Sequence, residues 1–380
     1  MELDDGAPGE PMVEWRGALG FDRSDDGVAP RRLPDWTRAQ IPDLFVESMV
    51  RMSSGVRIAF ATNSDAIELD VQLTGFRFDG QPPMVHGVDL VVDGAVVSQE
   101  QTDAAQRFVL DPIARGVIGF EPADPWTIRW TGLGSQSKRI EIWLPTNATA
   151  EVRALSIDDG ATVTASPSEA PRWVHYGSSI SHCLEVVHPT ETWPALVART
   201  SGLELTSVAL AGQCHLDQFV ARTIRDLEPD YVSVKVGINV INADSMRERI
   251  FTPLLHGFVD TIRERCPTTP FVLVSPIFCP VAEDHPGPTV PKPDGKVRVF
   301  DRPAVLAEGS LTLRRVREIL AAFVEQRRAD GDPNLHYVDG LTLFDAPDWE
   351  AGDLPDDLHP NPQGYARMAE RFVPQFAAFR

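Results

Sequence analysis

The periodicity of the apolar residues changes once along the chain, near Pro167–Pro171, and this change limits the folds available to it. Upstream, apolar and polar residues alternate over short runs such as Ile67–Leu73, the pattern of strands with one buried face. Asp93-Gly94 separates two such runs and predicts a two-residue hairpin. Because no long amphipathic helix competes with these runs, we predict that residues 1–167 form an all-β sandwich similar to a carbohydrate-binding module.

Downstream of this point, strand-like and helix-like segments alternate. The strand-like segments are Trp173–Tyr176, Leu203–Leu210, Tyr231–Val236, Phe271–Pro276 and Leu335–Val338. The helix-like segments are Thr190–Thr200, His215–Leu227, Ser245–Arg265, Ser310–Arg328 and Asn361–Phe376. This alternation predicts a parallel sheet with helices on both faces, a three-layer α/β domain over residues 168–380. In such domains ligands bind beyond the carboxyl ends of the strands.

A proline-rich segment, residues 279–303, follows the fourth predicted strand of this domain. A loop of that length in a compact domain is usually functional or mobile. We expect it to form a pocket wall or a lid, because it leaves the sheet at the ligand-binding end. A surface insertion without a role is the alternative interpretation.

The charge of the chain argues against polyanionic partners. There are 55 acidic residues against 35 basic ones, a formal net charge of -20. A nucleic-acid groove or an anionic membrane surface is therefore not expected as the main partner. No apolar run approaches the ~20 residues of a membrane span. The start of the chain lacks the basic and apolar regions of a secretory signal, so we expect a cytoplasmic protein.

The cysteine pattern and the absence of known cofactor motifs argue against disulfides, metals and nucleotide cofactors. Four cysteines, all in the second half of the chain, do not form the pattern of a secreted disulfide scaffold. The chain has no Cys-x-x-Cys pair and no His-Glu-x-x-His, so we expect no metal. It also lacks the glycine-rich loops that bind nucleotide phosphates, so we expect no resident cofactor.

Two predicted loops carry residues suited to nucleophilic catalysis. Gly177-Ser178-Ser179 follows the first strand, where a serine oxygen next to a helix N-terminus lies close to backbone N–H groups. Asp356 and His359 lie three residues apart before the last helix, so the carboxylate is able to fix the imidazole Nδ1–H and leave Nε2 free to accept a serine proton. A plain turn and a helix cap are the structural alternatives for these two motifs.

Two further loops supply groups that stabilise an oxyanion. Gly212 follows the second strand, and Gly237-Ile238-Asn239 follows the third. A glycine lets a backbone N–H approach a reacting carbonyl, and an asparagine amide donates to the same oxygen. Each loop alone is consistent with ordinary turn chemistry. Four such loops at the same edge of one sheet favour a catalytic site.

The four motifs together resemble the conserved blocks of the SGNH, or GDSL, family of serine hydrolases over about residues 171–380. The resemblance implies Ser179 as the nucleophile, His359 as the general base and Asp356 as its orienting carboxylate. It implies an oxyanion hole made by the N–H groups of Ser179 and Gly212 and the amide of Asn239. Ser178 stands where the family usually has aspartate, which leaves the local bonding of that loop open.

Several neighbouring residues remain as alternatives or as candidates for substrate contact. Ser178 is a rival nucleophile, and Asp353 and Asp357 are rival orienting carboxylates, although the register favours Ser179 and Asp356. Residues next to the motifs are candidates for lining the pocket: Ser178, His182, Cys214 and His215.

The resemblance implies acyl transfer through a covalent acyl-serine, and it leaves the acceptor open. If an alcohol accepts the acyl group, the protein is an acyltransferase, and if water does, it is an esterase acting on carbohydrate or small-molecule esters. We favour transfer of an acyl group, aromatic in the first instance, from an acyl-CoA co-substrate to a hydroxyl of a bulky metabolite such as a tetracycline-type polyketide. This expectation rests on the resemblance of the whole two-domain chain to GDSL-type acyltransferases, and it implies a role in antibiotic biosynthesis. The third hypothesis is a non-catalytic carbohydrate- or metabolite-binding protein on a decayed hydrolase scaffold.

Overall fold

The computed structural model describes residues 12–112, 116–292 and 294–379. Its contacts divide the chain into two compact units. The first runs to Glu169 and also includes Val186–Thr190, and the second comprises Ala170–Glu185 and Glu191–Arg380. Within the described ranges, no helix is both long and apolar enough to cross a membrane.

The first unit is built from short strands and one α-helix in the parts that the structure describes. They are β1 (Glu14–Arg16), β2 (Gly20–Arg23), β3 (Val28–Arg31), α1 (Leu44–Arg51), β4 (Arg57–Thr62), β5 (Ile67–Phe78), β6 (His86–Val92), β7 (Ala95–Thr102), β8 (Gln106–Leu110), β9 (Val117–Glu121), β10 (Trp126–Trp130), β11 (Lys138–Trp143), β12 (Thr149–Ile157) and β13 (Val163–Thr164).

These strands form two sheets that share one apolar core. One sheet has the order β1-β4-β11-β6-β7, with β13 added to β4, and the other has the order β2-β3-β12-β5-β8-β9, with β10 paired to β5. Ile58 and Phe60 of the first sheet and Leu69 and Val71 of the second belong to the same fully buried cluster. The predicted all-β sandwich is therefore confirmed.

The hairpin predicted at Asp93-Gly94 joins β6 to β7, which pair in antiparallel fashion. Both residues have positive φ, 48° and 86°, as a two-residue turn between twisted strands requires. The sequence did not reveal α1. It is only eight residues long and begins where the Asp43 side chain accepts hydrogen bonds from the N–H groups of Phe45 and Val46.

The second unit alternates strands and helices. Its elements are β14 (Arg172–Gly177), α2 (Ser179–His182), α3 (Trp193–Ser201), β15 (Glu204–Ser207), α4 (Gln218–Leu227), β16 (Tyr231–Lys235), α5 (Ile238–Asn242), α6 (Glu248–Arg263), β17 (Phe271–Val274), β18 (Thr289–Pro291), β19 (Val297–Val299), α7 (Ala304–Ala307), α8 (Leu313–Ala329), β20 (Leu335–Val338), α9 (Ala346–Glu350) and α10 (Pro362–Ala377).

Five of these strands form a parallel sheet in the order β15-β14-β16-β17-β20. Trp173 of β14 packs against Phe372 of α10, and Phe372 in turn contacts Trp193 of α3, so these two helices cover one face. Tyr176 points to the other face and stacks on Phe258 of α6 at a ring distance of 5.7 Å. Because successive strand residues point to opposite faces, the two contacts establish helical layers on both sides of the sheet. The predicted three-layer α/β fold is confirmed.

A buried chain of hydrogen bonds crosses the sheet beneath its carboxyl edge. The indole N–H of Trp173 donates to Ser233 Oγ at 2.9 Å, and this hydroxyl lies 2.7 Å from His175 Nδ1. His175 Nε2 lies 2.8 Å from Ser181 Oγ on α2. Burial, together with the charge of Lys235, lowers the pKa of His175 to about 3, so the ring is neutral. The chain therefore ties α2 to β14 and β16 without placing a charge in the core.

We expect Ser233→Ala to lower the free energy of unfolding by about 1–3 kcal/mol, because it leaves the Trp173 N–H and His175 Nδ1 buried without their partner. The measurement is urea unfolding of the full chain followed by its helical circular dichroism. Ser156→Ala, at an exposed strand position, is the matched control and should stay within about 0.5 kcal/mol. Equal stability of the two variants would show that the chain of bonds does not stabilise the fold.

Candidate active site

The carboxyl end of β14 turns sharply into the short helix α2. Gly177 is required there, since a Cβ at this position would lie only 2.6 Å from Ser181 Cβ. The carbonyl of Ser178 then accepts hydrogen bonds from the N–H groups of Ser181 and His182, each at 2.9 Å. Ser179 is the first residue of α2, and its side chain lies at the amino end of this helix. The turn thus holds a serine hydroxyl at the ligand-binding edge of the sheet.

Ser179, His359 and Asp356 form a continuous chain of hydrogen bonds. Ser179 Oγ lies 2.8 Å from His359 Nε2, and His359 Nδ1 lies 2.6 Å from Asp356 Oδ2. The other oxygen of Asp356 accepts from the backbone N–H groups of Leu358, at 2.9 Å, and His359, at 2.6 Å. Because both carboxylate oxygens are engaged, the loop fixes the direction of the imidazole ring. Such a chain is able to activate a serine for attack on a carbonyl.

The rival residues have other partners in the described part of the chain. Asp353 pairs with Arg367 at 2.7 Å. Asp357 accepts from the indole N–H of Trp349 at 2.9 Å and pairs with Lys296 at 3.1 Å. The hydroxyl of Ser178 is fully buried and has no hydrogen-bond partner among the described residues. The bond to His359 Nδ1 is therefore made by Asp356, and the bond to Nε2 by Ser179.

A second carboxylate stands beside His359, and sequence reasoning missed it. Glu185 Oε1 lies 3.7 Å from His359 Nδ1, while the Tyr365 hydroxyl donates to Glu185 Oε2 at 3.1 Å. No motif marks Glu185, because it lies in an irregular segment and approaches His359 only through the folding of the sheet. The one sequence signal that points to Glu185 is its acidic side chain in the loop after α2.

The titration of the imidazole and its carboxylate follows from these contacts. Burial alone would lower the pKa of His359, but the negative charge of Glu185 and the hydrogen bond to Asp356 raise it to about 9. Burial would raise the pKa of Asp356, yet the hydrogen bond and the charge of His359 bring it below its ordinary value. In the free protein near neutral pH, the pair is thus an imidazolium and a carboxylate.

Two loops flank the Ser179 turn on either side. In the sheet, β14 lies between β15 and β16, so the Gly212 loop and the Asn239 helix are its neighbours. Gly212 has a positive φ of 71°, and the preceding N–H, that of Ala211, donates to His182 Nδ1 at 3.3 Å. Asn239, on α5, accepts from the N–H of Cys214 through Oδ1 at 3.0 Å. That bond fixes the amide plane and leaves the NH₂ of Asn239 available as a donor.

The other candidates for substrate contact are packed into this framework. His182 and Cys214 are fully buried, and burial raises the pKa of the Cys214 thiol. His215 is half-buried, and its Nδ1 lies 2.9 Å from Ser245 Oγ. Contact of these side chains, and of Ser178, with a substrate stays a prediction. Within the described ranges, no group of three His, Cys, Asp or Glu side chains is arranged to hold a metal ion.

The proline-rich segment contributes the hairpin β18–β19, which lies against the loop that carries Asp356. The N–H of Val297 donates to the carbonyl of Asp356 at 3.2 Å, next to the ion pair of Lys296 with Asp357. Cys279, at the start of the segment, donates its S–H to the carbonyl of Asp357. These contacts support the backbone of the Asp356–His359 loop from outside.

Comparisons with known proteins agree with this geometry. Residues 175–367 match the GDSL-like lipase/acylhydrolase family, and residues 13–151 match the N-terminal domain of SsfX3. Among solved structures, the salicylyl-acyltransferase SsfX3 from a tetracycline biosynthetic pathway has 28% identity and a TM-score of 0.82, with 100% of this chain and 98% of that chain covered. No curated protein sequence matches the chain.

The fold is shared more widely. A family two carbohydrate esterase from Clostridium thermocellum, solved with cellohexaose, has 13% identity and a TM-score of 0.58, and covers 96% of this chain and 98% of its own. One from Cellvibrio japonicus has 13% identity and a TM-score of 0.61, with 97% and 96% covered. The resemblance inferred from the four motifs is confirmed: the chain belongs to the GDSL-like lipase/acylhydrolase family, and it is a serine acyl-transferring enzyme.

Proposed function

We propose that this protein is an acyltransferase that moves an acyl group through an acyl-serine intermediate to a hydroxyl of a bulky metabolite such as a tetracycline-type polyketide. The observation that carries the proposal is the similarity to the salicylyl-acyltransferase, which extends over 100% of this chain at 28% identity. An acyl-CoA is the proposed donor, with an aromatic acyl group as the first to test. A role in antibiotic biosynthesis and a cytoplasmic location follow as parts of the same proposal.

In the first half-reaction, Ser179 Oγ attacks the carbonyl carbon of the donor thioester. His359 Nε2, 2.8 Å from that oxygen, accepts the hydroxyl proton as the C–O bond forms. The tetrahedral intermediate then breaks its C–S bond, and the imidazolium returns the proton to the departing thiolate. Asp356 keeps the Nδ1–H tautomer throughout, because its Oδ2 accepts from Nδ1 at 2.6 Å.

In the second half-reaction, His359 accepts the proton of the acceptor hydroxyl, whose oxygen attacks the acyl-serine. The C–O bond to Ser179 breaks, and the imidazolium protonates the serine oxygen. In both half-reactions the proposed oxyanion hole stabilises the negative charge that develops on the carbonyl oxygen. Its donors are the N–H groups of Ser179 and Gly212 and the NH₂ of Asn239. Donors held by the fold need no reorganisation as the charge forms, which makes this stabilisation effective.

Hydrolysis is the second candidate function, since water is able to replace the acceptor in the second half-reaction. It is favoured by the carbohydrate esterases, whose fold extends over both domains of this chain. Incubation with a panel of acyl-CoAs, with and without candidate alcohols, separates the two when free CoA and products are followed by mass. Ester formed only with an acceptor supports transfer, whereas free acid formed at the same rate with or without acceptor supports hydrolysis.

We expect Ser179→Ala to abolish turnover and labelling by a fluorophosphonate probe, because the variant lacks the oxygen that forms the covalent bond. Mass spectrometry of the intact protein measures the labelling. Ser178→Ala is the matched control and should still be labelled, since the Ser178 hydroxyl makes no bond to His359. A native protein that the probe does not label, with turnover unchanged in Ser179→Ala, would support the non-catalytic binding reading instead.

Replacement of Asn239 by alanine should lower kcat by about 10²–10³, as loss of one oxyanion donor typically does. Steady-state kinetics with an acyl-CoA or an activated ester gives the value. Asn242→Ala, at the other end of α5, is the control and should keep most of the activity. Near-normal turnover by the Asn239 variant would remove Asn239 from the proposed oxyanion hole.

The pH profile should report the titration of His359. The imidazole must be neutral to accept the serine proton, and its pKa in the free protein is raised to about 9. We therefore expect kcat/KM for an activated ester to rise with pH and to level off only above about 9. A profile that levels off near pH 6.5, the ordinary value for histidine, contradicts the raised pKa.

A further inference from the structure

We propose that Glu185 is a positioning residue of this site: a second carboxylate that, beside Asp356, stabilises the protonated form of His359 during both half-reactions. The role of Glu185 in the two half-reactions rests on the proposed function. Its geometric basis is separate, because it comes from contacts of Glu185 that none of the four motifs includes.

The first argument is the distance to the imidazole. Glu185 Oε1 lies 3.7 Å from Nδ1 of His359, the nitrogen whose other acidic partner, Asp356 Oδ2, lies at 2.6 Å. Asp356 approaches from the loop of His359 itself, and Glu185 from the segment after α2. The same N–H edge of the ring therefore faces two carboxylates from two parts of the chain.

The second argument is that Glu185 is held in place. Its Oε2 accepts from the hydroxyl of Tyr365, a side chain with no exposed surface. Tyr365 lies in the first turn of α10, and that helix begins at Pro362, three residues after His359, with Asn361 as its N-cap. The residue that anchors Glu185 and the residue that Glu185 faces thus belong to one short stretch of chain, which keeps their separation constant.

The third argument is electrostatic. Tyr365 and Cys183 interact electrostatically with Glu185, and Cys279 with Asp356; burial raises the pKa of each of the three, so all three are neutral at working pH. Lys296, from the β19 side, is engaged with Asp357, and the buried Lys235 of β16 acts on Cys183. The charges that act directly on His359 are those of Glu185 and Asp356, and both favour the imidazolium.

This arrangement has a kinetic consequence. When His359 accepts the serine proton, the new positive charge meets two negative charges, which lowers the energy of the ion pair formed in the transition state. The cost is that more of the free enzyme carries His359 already protonated below pH 9, and that form is inactive as a base. Glu185 therefore lowers activity at low pH and makes His359 a stronger base at high pH.

The test is the pH profile of kcat/KM for Glu185→Gln in the full chain, with a p-nitrophenyl ester as the probe. We expect the acid limb to move down by about 1 pH unit, the scale expected for loss of one charge within 4–6 Å, and the plateau at high pH to fall about 3- to 10-fold. Glu350→Gln, which removes an exposed charge from the same unit, is the control and should move neither quantity. An acid limb that stays in place in Glu185→Gln overturns the proposal.

Tyr365→Phe provides a second variant that keeps the buried ring and removes only the hydroxyl that anchors Glu185. Its acid limb should move in the same direction by a smaller amount. A purely structural role for Glu185 predicts lower stability with an unmoved limb in both variants, and that result also overturns the proposal.

An NMR titration of His359 keeps this inference separate from the proposed function. In Ser179→Ala, which has no turnover, Glu185→Gln should still lower the pKa of His359. If that shift is found but the native protein transfers no acyl group, the proposed function fails and the electrostatic coupling stands. If the native protein transfers acyl groups and no shift is found, only the role of Glu185 fails.

Discussion

The site depends first on a close backbone approach at the end of β14. Gly177 and Ser181 come so near to each other that no side chain fits at position 177, and the glycine lets the chain turn directly from β14 into the short helix α2. His175, held by Ser233 in the next strand, bonds to Ser181 and fixes that helix to the sheet. The position of the Ser179 hydroxyl is therefore set by buried, neutral contacts below it. Electrostatic tuning is left to the residues that approach from the other side.

Those residues come from the loop before α10 and from the segment after α2. Asp356 uses one oxygen for two backbone N–H groups and the other for His359, so the orientation of the ring is a property of the loop backbone. The hairpin β18–β19 supports the same backbone through Val297. Glu185 adds charge without direct hydrogen bonding to the ring, at 3.7 Å. Asp356 thus supplies both orientation and charge, whereas Glu185 adds charge alone, so the charge on the site can be changed at Glu185 while the ring orientation is kept.

Much of this was predictable because it is encoded locally. The strand and helix periods located the five parallel strands, and parallel strands put the loops of Ser179, Gly212, Asn239 and His359 at one edge. What was missed depends on contacts between distant segments: Glu185 beside His359, and the return of Val186–Thr190 to the first unit, where Thr190 bonds to the buried Asp89. Neither contact has a periodic or motif signal in the sequence, because Glu185 and Thr190 are polar residues whose partners lie far away along the chain and come close only when it folds.

Ser178 shows how the departure from the family motif fits this particular framework. Its side-chain oxygen is fully buried, with no donor to it among the described residues. An ionised aspartate at the same position would need several donors to offset the loss of its hydration, whereas a hydroxyl carries no net charge and costs far less to bury. Because His175 and Ser181 already fix α2 from below, the turn does not need a carboxylate to shape it. Serine at position 178 is therefore compatible with the hydrogen bonds that join Ser179, His359 and Asp356.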